Sequence, residues 1–355
     1  MNANRDDLGC LRTDVETLEV CSELITSGSH NKARVAIIIL DHFAEILLFR
    51  ESTNIFDGDR FRRWVMKPEF TRSERAKILR GFSEKLSLIA DKTQHVAKVD
   101  LAVLLIAHLY RNAIYHRDVH NERTTLVLAK LMLRTIFRLF MKTDSARSMS
   151  FNSTTDLRWL QPYVPSIKID RHIDFCQVRR NLVLAIAPVA RLSLRSARSI
   201  LVEDVTLRAH NLERTLTEEF GNKWRSWLDG LLKHVQFERD NQEKLDAFSI
   251  QFRETTYKIH TDQPPTKEEY VKAESDYKAR RTKEFDAFCP ALTSKTILSL
   301  HKLTDSFSQA SNLERLILTY KDADDTMHKA ESYLSLARIE FDGAVQSAID
   351  AGRGK

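Results

Sequence analysis

Apolar residues recur along this chain mostly at helical spacing. From Asn31 to Arg50 they occupy nearly every face of the implied helix, with one polar line through Arg34, Asp41 and Glu45. A helix so apolar belongs at the centre of a bundle. The stretch FDGDRFRRWVMKPEF, with Gly58 and Pro68, is expected as a loop carrying the basic patch Arg60, Arg62, Arg63 and Lys67. Thr71 and Glu74 have capping-box spacing and open a helix predicted to run to about Ala90. Lys98 to His116 is a third helix, almost wholly apolar until its end. Glu122 to Lys142 is a fourth, with Leu126, Met132, Leu133, Ile136, Phe137 and Phe140 on its apolar face. Lys130, Arg134 and Arg138 recur every fourth residue along one side, a pattern of a solvated face more than of an RNA track. Together these helices predict a compact up-and-down bundle over residues 1–145.

Residues 146–170 are polar, irregular and contain two prolines, as a linker would be. Helical periodicity returns over Phe175–Val202 and from Thr206 to about His260, with Gly221 and Gly230 as weak points. Leu245, Phe248, Phe252 and Ile259 are spaced for a helical hairpin, and Trp224 and Trp227 read as core. The prolines of TDQPPTKEE break the chain near 261–266, where Thr266 and Glu269 cap a new helix. Ser311 and Glu314 repeat the capping pattern before a final helix through about Ile349. Residues 171–355 thus form a second helical region.

Composition agrees with an all-α class. The 355 residues include 9 Gly and 7 Pro, too few turn residues for a many-stranded fold. The first residues, MNANRDDLGC, lack a basic region followed by an apolar run, so no signal peptide is expected. The most apolar run, Val99 to Tyr110, falls short of the roughly 20 residues that span a bilayer. Cys10, Cys21, Cys176 and Cys289 lie far apart without CxxC spacing, which argues against a zinc site or disulfide framework and fits a cytoplasmic location. The net charge is +6. Residues 1–200 carry roughly +10 and the remainder roughly −4, so a polyanion is a natural partner for the front half. No P-loop, dinucleotide-binding, zincin, α/β-hydrolase or EF-hand motif is present.

The remaining constellation is Arg111-Asn112-Ala113-Ile114-Tyr115-His116, at the end of the most apolar helix. With that helix, the polar turn after it, and the long apolar helix carrying an embedded acid, Glu45, residues 15–145 resemble the HEPN-domain family. Many members have Arg, often followed by a polar residue such as Asn, then His four to six residues further on. The resemblance implies a metal-independent endoribonuclease with no cofactor that cleaves RNA, including tRNA, to a 2′,3′-cyclic phosphate. It further implies a homodimer with a composite active site, and a toxin or antiphage-defence role in which a neutralising or regulatory partner protein has a place. No membrane partner is expected.

The residue types suit that chemistry. An imidazole can take or give a proton near neutral pH. A guanidinium can hold the extra negative charge of a phosphorane-like transition state. On this basis Arg111, Asn112 and His116 are the candidate catalytic residues, with Glu45 in support. On a continuous helix, residues five apart point roughly 140° away from each other. For Arg111 and His116 to meet, the helix must end before His116 or a second protomer must supply one of them. The tyrosine that one subclass carries two residues after the His is here Asp118, so that form of control is not carried over. The alternative is a non-catalytic helical scaffold or RNA- or protein-binding module, with Arg111 and Asp118 as a helix-end salt bridge. His42 and His108, in apolar surroundings, read as core histidines.

Overall fold

The computed structural model describes residues 3–62, 67–93, 96–116, 122–142, 148–150, 157–164, 172–220, 224–257, 266–288, 300 and 303–352. The chain is all-α, with the extended structure of the described residues confined to one short strand pair. It divides into two compact units. The first comprises Met1–Asp204 with Phe307–Lys321, the second Val205–Ser306 with Asp322–Lys355. This division differs from the expected cut near residue 145.

In the first unit, α1 (Ala3–Thr26) and α2 (His30–Arg62) are joined through Gly28. Its φ of +68° is one that side-chain-bearing residues rarely adopt, and its N–H bonds the Ile25 carbonyl at 3.2 Å. The helix α2 is the hub. It packs against α1, α4 (Phe82–Lys92), α5 (Lys98–His116) and α6 (Glu122–Lys142). Ala33, Ala36, Ile37, Leu40 and Ala44 are fully buried, as the apolar run predicts, and Leu47 and Leu48 nearly so. His42 is the exception: it is exposed, not a core histidine.

The expected loop after Arg50 begins later. The helix continues through Gly58 to Arg62, because Ser52, Phe56 and Asp59 still face inward at helical spacing. Of the expected basic patch, Lys67 is exposed, and the side chains of Arg60, Arg62 and Arg63 lie outside the described residues. Asp59 then turns the chain. Its Oδ1 accepts the Glu69 N–H at 2.8 Å, and its Oδ2 accepts those of Phe70 at 3.3 Å and Arg75 at 2.6 Å. The Thr71–Glu74 capping box forms and opens α3 (Arg72–Arg80). The single helix expected to reach Ala90 is two, because the backbone is extended at Gly81, which ends α3 and starts α4.

The helices α5 and α6 are pinned at both ends. Asp100, 2 % exposed, accepts from Thr135 at 3.2 Å and pairs with Arg138 at 2.5 Å. Further along, the Tyr110 and Thr125 hydroxyls bond at 2.5 Å. Arg138 therefore does not belong to a wholly solvated stripe, although Arg134 is exposed. Beyond residue 145, β1 (Ser148–Ser150) pairs antiparallel with β2 (His172–Asp174), Met149 opposite Ile173. Asp174 caps α7 (Phe175–Ile186), and a 3-10 turn at Ala187–Ala190 carries Pro188. Both α7 and that turn pack on α1 and α6, which is why the first unit extends past the linker. Helix α8 (Leu194–Phe220) runs unbroken through Val202–Thr206, where a boundary was expected; the break falls earlier, at Pro188.

In the second unit, α9 (Trp224–Asp240) keeps Gly230 within the helix. The side chains of Trp224 and Trp227 lie outside the described residues. Helices α10 (Gln242–Tyr257) and α11 (Lys267–Ala287) pack together, with Phe252 set against Tyr270 and Tyr277, while Ile259 lies outside the described residues. The Thr266–Glu269 box caps α11. After α12 (Leu303–Ser308) comes α13 (Leu313–Gly352), of which Phe307–Lys321 belong to the first unit and the rest to the second. Its cap is Asn312, whose Oδ1 accepts the Arg315 N–H at 2.9 Å, not Ser311. Ala323, Met327, Ala330, Leu334 and Ala337 are buried at three- and four-residue intervals along it. Asp324, also buried, receives Arg208 of α8 at 2.6 Å. Burial opposes the charge on Asp324, but the His328 hydrogen bond and the Arg208 charge outweigh it and lower its pKa.

Two predictions follow from the hub and its turn. Leu40→Ala should cost about 2–5 kcal/mol of unfolding free energy, against less than about 1 for Val35→Ala on the exposed side of α2, measured by urea titration. The hydrogen bond from the Glu69 N–H, with those from Phe70 and Arg75, holds the Asp59 carboxyl below its ordinary value against desolvation. A depressed folded pKa gives stability that is present above the unfolded value of about 3.9 and lost as pH falls through the folded one. The difference between wild type and Asp59→Asn should therefore be largest near neutrality and shrink in acid; a pH-independent difference would contradict it.

Candidate functional site

Because α2 is buried on most sides, the one aspartate within its apolar run cannot reach water. Asp41 is 1 % exposed. An ionised carboxylate in such a place needs charged or hydrogen-bonding neighbours. Two residues of α5, three apart and hence on one face, supply them. His108 Nδ1 lies 3.2 Å from Oδ1 and 3.1 Å from Oδ2. Arg111 Nε lies 2.9 Å from the same Oδ2. The Arg111 contact is an ion pair and not an aligned hydrogen bond, since the Nε–H does not point at the oxygen. A third element completes the wall. Phe82, the first residue of α4, stacks face to face on the His108 ring, with centroids 4.1 Å apart and planes within 6°.

The cluster is buried on one side and open on the other. The side chains of His108 and Arg111 retain 20 % and 27 % exposure. Asn112, next in sequence, is exposed. Helix α5 continues through His116, whose side chain lies outside the described residues, as does Asp118. The structure thus brings Arg111 and Asn112 to the rim of the bundle. Within the described residues Arg111 has Asp41 as its partner; the Arg111–Asp118 pairing of the alternative reading falls on a residue outside them. Glu45, one turn further along α2, is partly buried, and no hydrogen bond or ion pair of its side chain occurs among the described residues.

Asp41 and His108 are the members that the sequence left in the background. A signal for His108 was present, since a His three residues before Arg111 shares its face; Asp41 is one of two acids in the apolar run, with Glu45. Chemically, a carboxylate on Nδ1 fixes the neutral imidazole as the Nδ1–H tautomer and leaves the Nε2 lone pair facing away from the acid. Among the described residues the terminal nitrogens of Arg111 have no partner, and such nitrogens can donate to an oxyanion.

Among the described residues no group of three His, Cys, Asp or Glu side chains is arranged to hold a metal ion, and no helix is long and apolar enough to cross a membrane. The free cysteines there are Cys10, Cys21 and Cys176. Comparison with family models, with curated proteins and with solved structures gives no match.

If Asp41 holds both side chains, removing its charge leaves Arg111 without its counter-ion and His108 without its acceptor. Asp41→Asn should lower stability by about 1–3 kcal/mol. The effects of Asp41→Asn and Arg111→Ala should also be non-additive by about 0.5–3 kcal/mol in a denaturation double-mutant cycle. Additive effects would mean that the pair does not form in solution.

Proposed function

We propose that this protein is a metal-independent endoribonuclease with a HEPN-like N-terminal bundle, cutting RNA or tRNA to leave a 2′,3′-cyclic phosphate. The observation that carries the proposal is the placement of Arg111. It is anchored by buried Asp41 of the hub helix, keeps part of its surface exposed on α5, and has exposed Asn112 beside it and His116 at the helix end. A guanidinium fixed in this way is preorganised for a phosphate. Since α5 stays helical through His116, positions 111 and 116 lie about 140° apart around the axis. This favours a homodimer in which one protomer supplies Arg111 and Asn112 and its partner supplies His116. A toxin or antiphage effector of the cytoplasm, held in check by a partner protein, is the role the resemblance suggests. The free thiols fit a reducing compartment.

A second reading has one observation in its favour. The Arg111–Asp41 pair is also what a bundle needs to neutralise a buried acid, so Arg111 would serve equally in a non-catalytic scaffold.

The two separate in one experiment. Purified wild type, Arg111→Ala and His116→Ala are incubated with total RNA and with tRNA in EDTA. Wild type should cleave and give cyclic-phosphate ends, and each variant should be slower by about 10²–10⁴-fold. Cleavage by His116→Ala at the wild-type rate would remove that residue from the site. An inactive wild type would favour the scaffold.

A further inference from the structure

The sequence motif pairs Arg111 with His116, but the histidine that shares an oxygen atom with Arg111 is His108. Both contact Asp41 Oδ2, at 3.1 Å from Nδ1 of His108 and 2.9 Å from Nε of Arg111. We infer that His108 is a catalytic residue of the ribonuclease proposed above, acting as general base on an RNA phosphodiester bound by Arg111 of the same chain. The inference rests on that function and assigns the base within it.

Three features favour this assignment. First, the orientation is fixed. Nδ1 faces a carboxylate that is 1 % exposed, and one ring face lies on Phe82, itself buried. The side chain keeps 20 % exposure, and Nε2 is not among the buried side-chain atoms that lack a hydrogen-bond partner. Second, the tautomer is fixed. With Nδ1 donating to Asp41, the neutral ring presents a lone pair at Nε2, the form a base requires. Third, the spacing is right without a second protomer. Residues 108 and 111 are three apart on a continuous helix and so share a face, whereas 111 and 116 do not.

The step balances simply. Nε2 of His108 takes the proton of the ribose 2′-hydroxyl as the 2′-oxygen bonds to phosphorus. The bond from phosphorus to the 5′-oxygen breaks, and that oxygen leaves with a proton from water. Arg111 donates to the non-bridging oxygens as negative charge grows on them. The products are a 2′,3′-cyclic phosphate and a 5′-hydroxyl, and His108 returns its proton to solvent.

The test uses the full-length protein in EDTA with an RNA that wild type cleaves, and the same RNA carrying a 2′-deoxy nucleotide at the cleaved position. His108→Asn is the informative variant, because its amide N–H can still donate to Asp41 while the side chain cannot accept a proton. His108→Ala is run beside it with and without added imidazole, and thermal melts establish that each variant is folded. Both variants should cleave at least about a hundredfold more slowly and yet bind the 2′-deoxy RNA within about threefold of wild type. Imidazole should restore part of the rate to His108→Ala and none to Arg111→Ala. Wild-type cleavage by His108→Asn, or no recovery of His108→Ala with imidazole, would overturn the assignment and leave the ribonuclease standing. A wild type that cleaves no RNA would overturn both.

Discussion

A charge carried on a helix that is buried on most of its sides dictates what surrounds that helix. Asp41 sits among Ile37, Leu40 and Ala44, all fully buried, and its carboxylate cannot be solvated there. An unpaired ion at that depth costs several kcal/mol, so the register of α5 against α2 is constrained to bring His108 and Arg111 to it. Sliding α5 by one residue would swing both away. The same device recurs between other helices. Asp14 of α1 pairs with Arg50 of α2 at 2.7 Å, Asp100 of α5 with Arg138 of α6, and Asp324 of α13 with Arg208 of α8. In each case an aspartate no more than 4 % exposed at its side chain meets an arginine with a long apolar stem, which can cross the packed layer and keep part of its surface toward water. Such pairs add little net stability. Their structural effect is to make wrong registers expensive, which apolar contacts alone do poorly.

Legibility in the sequence followed the range of the interaction. The capping boxes at Thr71–Glu74 and Thr266–Glu269 are local and formed as read. The apolar runs gave the hub helix for the same reason. Errors occurred where a distant contact overrode a local signal. Gly58 looked like the start of a loop, but Phe56 and Asp59 are held from outside the helix. Phe70 lies edge-on to Phe56 at 5.3 Å, and Asp59 is held by Glu69, Phe70 and Arg75, so α2 continues to Arg62. Beyond residue 145 the polar stretch resembled a linker. Only the packing of α7 on α1 and α6, which no local pattern encodes, shows the first unit to extend further.

The site divides in the same way. Arg111 could be singled out because it stands in a contiguous motif at a helix end. Asp41 was not, because its partners lie 67 residues away or more, and nothing in the sequence distinguishes it from Glu45 one turn on. Residues four apart differ by only about 40° around the helix, so what separates the two is which neighbours each meets. Asp41 faces the α5 side and is buried, whereas Glu45 is turned partly out. His42 and His108 illustrate the same limit: both stand in apolar runs, yet one is exposed and the other is bonded to an acid.

These placements bear on how work would be shared between protomers. A composite site that takes Arg from one chain and His from another is active only when assembled, so its activity depends on dimer concentration. A site that holds Arg111 and His108 on one helix face has its phosphate-binding and base functions preorganised in each chain. Dimerisation would then add only what one chain lacks. Position 116 lies about 140° around the axis from position 111 and about 12 Å along it from position 108, at 1.5 Å of rise per residue, so it stands off the helix face that carries that pair.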